Sequence, residues 1–183
     1  VDGVLNSDET AYSDVGRCSY EWPLDSRLLC RLRTLLLSSN AQIVLSSPWR
    51  LDACAVQSLI KACIAANIPA AVFIGETPEV TRHQKRSFDT VNHLSLAQCR
   101  VEEIRRWLDR NHSRLNVETW VAIDDSALAQ ACPELTEHMV RTDTSVGLQD
   151  RDVELAVQIL AKKDLQHAQR ASTTTTNGRC PAC

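Results

Sequence analysis

The sequence predicts an α/β fold: a mostly parallel sheet with helices on both faces. Three observations predict it. Short apolar runs at 41–47, 69–75, 119–125 and 138–143 have the length and composition of strands buried on both faces. The stretches between them carry apolar residues at helical spacing, so strands and helices alternate and right-handed crossovers follow. Polar residues then gather at the carboxyl ends of the runs, where open parallel sheets bind their ligands.

Taken in order, residues 7–22 are polar and read as a loop or small flap. Pro23 suits the first turn of a helix, and Leu24, Leu28, Leu32, Leu35 and Leu36 give that helix an apolar stripe with Arg27, Arg31 and Arg33 between. Ala41 to Ser47 is a buried strand ending in hydroxyls, followed by Pro48-Trp49-Arg50. Residues 52–66 return to helical spacing through Val56, Leu59, Ile60, Cys63 and Ile64. Pro69 to Gly75 reads as a second strand, and Glu76 to about Gln98 as a long polar loop of the kind that is functional or disordered. Val101, Ile104, Trp107 and Leu108 mark the next helix, with Glu102, Glu103, Arg105 and Arg106 assigned to its wet side. Thr119 to Asp125 is a strand ending in acid, His138 to Asp143 a short fourth strand, and Val153, Ala156, Val157 and Leu160 a final helix. Ser172 to Thr176 cannot support a core, so the chain divides into a domain over 1–164 and a Ser/Thr-rich flexible tail over 165–183.

Composition sets limits. The 183 residues suffice for one domain with a real core. An apolar fraction of 44% and a charged fraction of 23% are ordinary for a soluble protein, and no run approaches the roughly 18 apolar residues of a membrane span. A net charge of −3 argues against a surface that coats nucleic acid wholesale, while leaving room for a local basic patch. Of the eight cysteines, Cys30, Cys54, Cys63 and Cys99 fall in helix-like segments, which favours free thiols in a reducing, intracellular (cytoplasmic) setting over a disulfide framework. Cys180 and Cys183 have the spacing of a zinc or redox half-site without a second pair, and the five histidines show no metal spacing.

The opening Val1-Asp2-Gly3-Val4-Leu5-Asn6 reads as the second half of a motif, and the expectation is that the chain begins inside its own active site with the first strand largely missing. Together with I-V-L-S-S-P-W-R, I-G-E-T-P, R-V-E-E-I-R-R-W-L, W-V-A-I-D-D and V-R-T-D-T-S-V-G-L, in that order over about residues 1–162, it resembles a haloacid-dehalogenase-like (HAD) phosphohydrolase domain. More narrowly it resembles the branch found in Swiss-army-knife RNA repair proteins, where D-x-D-G-V-L-N, L-S-S-x-W-R and R-G-x-E-I-x-x-W-L recur. The resemblance implies a Rossmann-like fold, Mg2+, and hydrolysis of a phosphorylated substrate through an aspartyl phosphate. Residues 7–22 are too short for a separate cap domain. A minimal cap leaves an open site, which suits bulky substrates such as nucleic-acid ends or phosphoproteins.

Carried over residue by residue, Val1 is the x of Asp-x-Asp, Asp2 is the acid/base carboxylate, and the nucleophile is expected one position before Val1. Residues two apart on an extended segment face one site, so both carboxylates can reach the same phosphate. Ser46 matches the strand-end hydroxyl that meets a phosphoryl oxygen, with a local turn bond as the plainer role and Ser47 as the alternative hydroxyl. Asp124 and Asp125 are adjacent carboxylates that need a cation, and Mg2+ prefers oxygen ligands; capping the following helix is the plainer role. The resemblance makes Asp124 a direct ligand, Asp125 direct or through water, and adds the backbone carbonyl of Asp2. Arg100 aligns with the motif arginine and is either the cation that offsets phosphate charge or a solvated first-turn residue. Val101 stands where that branch has Gly, which bears on the local backbone. Lys85 and Arg86, in the basic loop 81–86, are alternative cations, and that loop is either a nucleic-acid or nucleotide contact or a solvated face. Trp49 either stacks on a base or covers the core edge; Arg50 either contacts substrate or anchors its loop to a carboxylate. The rival reading is a catalytically inactive HAD-like module used for binding or scaffolding.

Overall fold

The computed structural model describes residues 1–13, 24–80 and 95–174. The opening six residues form turns, not a strand: the Val4 and Leu5 amides both donate to the Val1 carbonyl, at 3.1 and 2.8 Å. Within the polar stretch that follows, Asp8–Ser13 folds as a short helix, α1, with Asp8 and Glu9 in its first turn, where acidic side chains favour the helix dipole. The leucine-striped helix α2 spans Ser26–Ser39 and starts later than Pro23 suggests. Asp25 sets its start, accepting from the Arg27 amide at 2.7 Å, and Asn40 ends it in a left-handed conformation.

Strand β1 is Ile43–Leu45, and β2 is Phe73–Glu76, paired in parallel. The expected strand from Pro69 is corrected here: Pro69 fixes φ and leads into a 3-10 turn at Ala70–Val72, so extended backbone begins only at Phe73. Between them runs α3, Ala53–Ala65, capped by the Asp52 carboxylate, with Ala55, Leu59 and Cys63 as its buried face. Helix α4, Leu96–Leu115, opens with a reciprocal capping box between Ser95 and Gln98, so it begins before Gln98, where the polar stretch was expected to end. Strands β3, Ala122–Asp124, and β4, Met139–Arg141, are again parallel and are shorter than their apolar runs. The one-turn helix α5 is Leu128–Ala131, and the last helix, α6, runs Asp150–Thr174, past the point where the tail was expected to begin.

The expected sheet is divided into two two-stranded parallel sheets, β1–β2 and β3–β4. Among the described residues no strand pairs β1 with β3. The two strands instead line a common cavity of about 560 Å³, and Ile43, Val44, Ala122 and Ile123 are half-buried where a continuous sheet would bury them. The larger apolar cluster joins α2, α3 and α6 through Leu28, Leu59 and Ala156 and takes in Val4, Leu5 and Leu45; a smaller one joins Val101 of α4 to Leu128 and Cys132. The larger cluster, with Leu45 and Ile123, sets the carboxyl ends of β1 and β3 beside the opening turn. Cys63, Cys99 and Cys132 are buried free thiols and Cys30 and Cys54 exposed ones.

Candidate active site

The site forms where β1 and β3 end and the opening turn crosses them. Gly3 makes the turn possible, with φ +65, and a Cβ there would lie 2.5 Å from Asp125 Oδ2, so only glycine lets the turn lie on that carboxylate. The Thr142 hydroxyl, just past β4, donates to the Gly3 carbonyl at 2.7 Å and fastens the turn from below. Asp2 is thereby exposed above the sheet ends. Its carboxylate accepts from the Trp49 indole N–H at 3.0 and 3.1 Å and from the Asn6 amide at 3.0 Å.

Ser46 follows β1 and is half-buried. Its hydroxyl accepts from Arg100 Nη1 at 3.2 Å and from the Thr77 hydroxyl at 3.3 Å. Arg100 sits in the second turn of α4, not solvated: its side chain is 15% exposed, its Nη1 also donates to Glu103 Oε2 at 3.2 Å, and its Nε lies 3.5 Å from Asp124 Oδ2. That buried Nε makes no hydrogen bond. Asp124, the last residue of β3, accepts from the Ser126 amide through Oδ1, which leaves Oδ2 facing Arg100. Neither Asp124 nor Asp125 caps α5, whose N-cap is Ala127 with no side-chain bond. Asp125 Oδ2 accepts from the Thr144 hydroxyl at 3.1 Å.

Three residues expected at the substrate face the protein instead. Ser47 is buried, and its hydroxyl accepts from the Trp49 amide at 3.3 Å, which caps the 3-10 turn Pro48–Leu51. Trp49 is 3% exposed, so its ring has no open face for a base. Arg50 is buried as well, donating to the Thr77, Ser46 and Ser47 carbonyls at 2.8–2.9 Å and pairing with Glu103 Oε1 at 2.8 Å. Of its two expected roles, the geometry is that of the loop anchor. Lys85, Arg86 and the basic loop 81–86 lie outside the described residues, as do Cys180 and Cys183.

Glu103 is the residue the sequence reading misplaced. It is buried rather than wet, and it joins Arg50, Arg100 and the Val80 amide, the last at 3.2 Å. The signal was present: Glu103 lies three residues after Arg100 and four before Trp107, on the inner face of the same helix.

For Mg2+, the oxygen donors at hand are Asp124 and Asp125, and one or two carboxylates with waters and a substrate phosphate are the usual complement. The donor set fits that pattern. No group of three or more His, Cys, Asp or Glu arranged to hold a metal occurs among the described residues; the expected Asp2 backbone carbonyl and an aspartate before Val1 would add to these two carboxylates.

The α/β domain thus brings a hydroxyl, a guanidinium and a carboxylate together at adjoining strand ends. The chain belongs to the HAD family: residues 1–153 match the family described as the HAD domain in Swiss Army Knife RNA repair proteins. No match was found among curated proteins or among solved structures. Among the described residues no helix is long and apolar enough to cross a membrane.

Proposed function

We propose that this domain is a Mg2+-dependent phosphohydrolase that works through an aspartyl phosphate when an aspartate stands directly before Val1, and that its substrates are nucleic-acid or nucleotide phosphates. One observation carries the reading. Arg100 Nη1 reaches the Ser46 hydroxyl at 3.2 Å while its Nε, without a hydrogen bond, lies 3.5 Å from Asp124, so phosphate-binding hydroxyl, cation and metal carboxylate converge. The substrate class rests on the RNA-repair context of the family description.

In this reading Ser46 and Arg100 hold the phosphoryl oxygens, the guanidinium offsetting their charge as it develops. Asp124 and Asp125 would hold Mg2+, which supplies charge neutralisation when bound. Asp2 gives a proton to the leaving oxygen and takes one from the water that ends the reaction.

The rival is an inactive binding module, favoured by the way the polar groups already satisfy one another: Arg100 with Glu103 and Ser46, Asp2 with Trp49 and Asn6. The test extends the chain with an apolar strand ending in Asp before Val1 and measures phosphate release from 5′- or 3′-phosphorylated RNA, with and without Mg2+. Release that requires Mg2+ and falls by about 10²–10⁴ in Asp2→Asn supports the enzyme, as removal of a general acid/base does. Release indifferent to Asp2→Asn and Asp124→Asn sinks the mechanism.

A further inference from the structure

The Trp49 indole has no place in the chemistry above, and its side chain is buried. Yet its N–H is shared between the two oxygens of Asp2, at 3.0 Å to Oδ1 and 3.1 Å to Oδ2. From this we infer that Trp49 is a positioning residue for the Asp2 carboxylate, an inference that rests on the phosphohydrolase reading for its catalytic consequence. Three features of the geometry support it.

The first is rigidity. Trp49 is 3% exposed and belongs to the larger apolar cluster, and its amide is tied to Ser47, so the ring cannot follow a moving partner. Asp2, by contrast, is exposed on a turn, where a carboxylate would otherwise sample several rotamers. A fixed donor shared between both oxygens selects one orientation of the carboxylate plane. The second is the complementary donor. The Asn6 amide adds a bond to Oδ1 at 3.0 Å while its own oxygen accepts from the Gly3 amide at 3.0 Å, so side chain and turn are locked together. The third is connection. Trp49 lies in the turn whose preceding loop carries Ser46, and Arg50 pins that turn to the Ser46 and Ser47 carbonyls. The phosphate-binding hydroxyl and the acid/base carboxylate are thereby referred to one rigid piece of chain, 47 positions from Asp2 in sequence.

A hydrogen bond from a neutral indole to an exposed carboxylate adds little to stability, but misplacement of a catalytic group costs rate steeply. The indole N–H therefore acts on turnover, while the buried ring serves folding as any core side chain does.

The test has two arms. In the 183-residue chain the Trp49 indole proton resonance, assigned by its loss in Trp49→Phe, lies downfield and moves upfield in Asp2→Asn, while Asp8→Asn leaves it in place. Asp2→Asn probes the bond from the exposed side, so the answer does not depend on how Trp49→Phe folds. In the strand-extended chain Trp49→Phe lowers kcat by about tenfold or more with KM unchanged, and adds nothing in an Asp2→Asn background. An indole resonance indifferent to Asp2→Asn overturns the inference, as does a shifted resonance with unchanged kcat. If the extended wild type releases no phosphate, the phosphohydrolase reading fails by itself, and the hold of Trp49 on Asp2 is decided by the resonance.

Discussion

Glu103 and Arg50 form a 2.8 Å ion pair between side chains 8% and 3% exposed, and the same carboxylate holds Arg100 at 3.2 Å. One buried acid thus fastens both the Ser46–Arg50 loop and the cation that reaches Ser46. Removing one partner of such a pair leaves an unpaired buried charge, at a cost of about 3–5 kcal/mol. Glu103→Gln should lower the urea midpoint accordingly, whereas Glu102→Gln, whose partner Arg106 is 36% exposed, should cost well under 1 kcal/mol. Equal losses in the two variants would refute the hub.

The α2 cap gives a pH dependence. The Arg27 side chain beside Asp25, with its amide, holds the Asp25 carboxyl below its ordinary value, against desolvation. A depressed folded pKa contributes stability above the unfolded value, about 3.9, that is lost as pH falls through the folded one. Asp25→Ala should therefore cost about 0.5–2 kcal/mol at neutral pH, as loss of an N-cap does, and progressively less below about pH 4. Denaturation midpoints of both proteins across that range check the sign.

Burial pushes the Cys63 thiol up to about 11, and the side chain is 0% exposed. At neutral pH it stays protonated and unreactive, since the thiolate is the nucleophile. Mass spectrometry after brief alkylation of the native chain should find Cys30 and Cys54 modified and Cys63 intact until denaturant is added.

Gly3→Ala combines two penalties. A non-glycine residue at φ +65 costs about 1–2 kcal/mol, and the new methyl would meet Asp125 Oδ2 at 2.5 Å. The proposed outcome is a weaker Mg2+ affinity by calorimetry together with a lower melting temperature. Unchanged Mg2+ affinity would remove Asp125 from the metal site.

Much of this was legible in the sequence, and the failures have physical reasons. Ser46, Arg100 and Asp124 stand in motifs that mark strand ends and a helix start, and backbone topology alone brings such positions together. Trp49, Arg50 and Glu103 were harder because polarity alone does not tell a wet charge from one buried with a partner. Glu103 sits in a run of charges beside Glu102, and only its register on α4 distinguishes the inner carboxylate from the outer one. Pro69 looked like part of a strand because the run after it is apolar, while its fixed φ in fact starts a 3-10 turn. The division into two sheets has no counterpart in any local pattern, because strand pairing is a property of distant segments.

The central claim is that Arg100, Ser46, Asp124 and Asp2 serve a covalent phosphoryl transfer. The most direct test is rapid acid quench of the strand-extended chain with 32P-labelled RNA phosphate and Mg2+, followed by mapping of the labelled peptide. The account predicts label on the aspartate placed before Val1, abolished by EDTA and by Asp124→Asn, and longer-lived in Asp2→Asn. Phosphate release with no label at that aspartate, or label unaffected by EDTA, would contradict it.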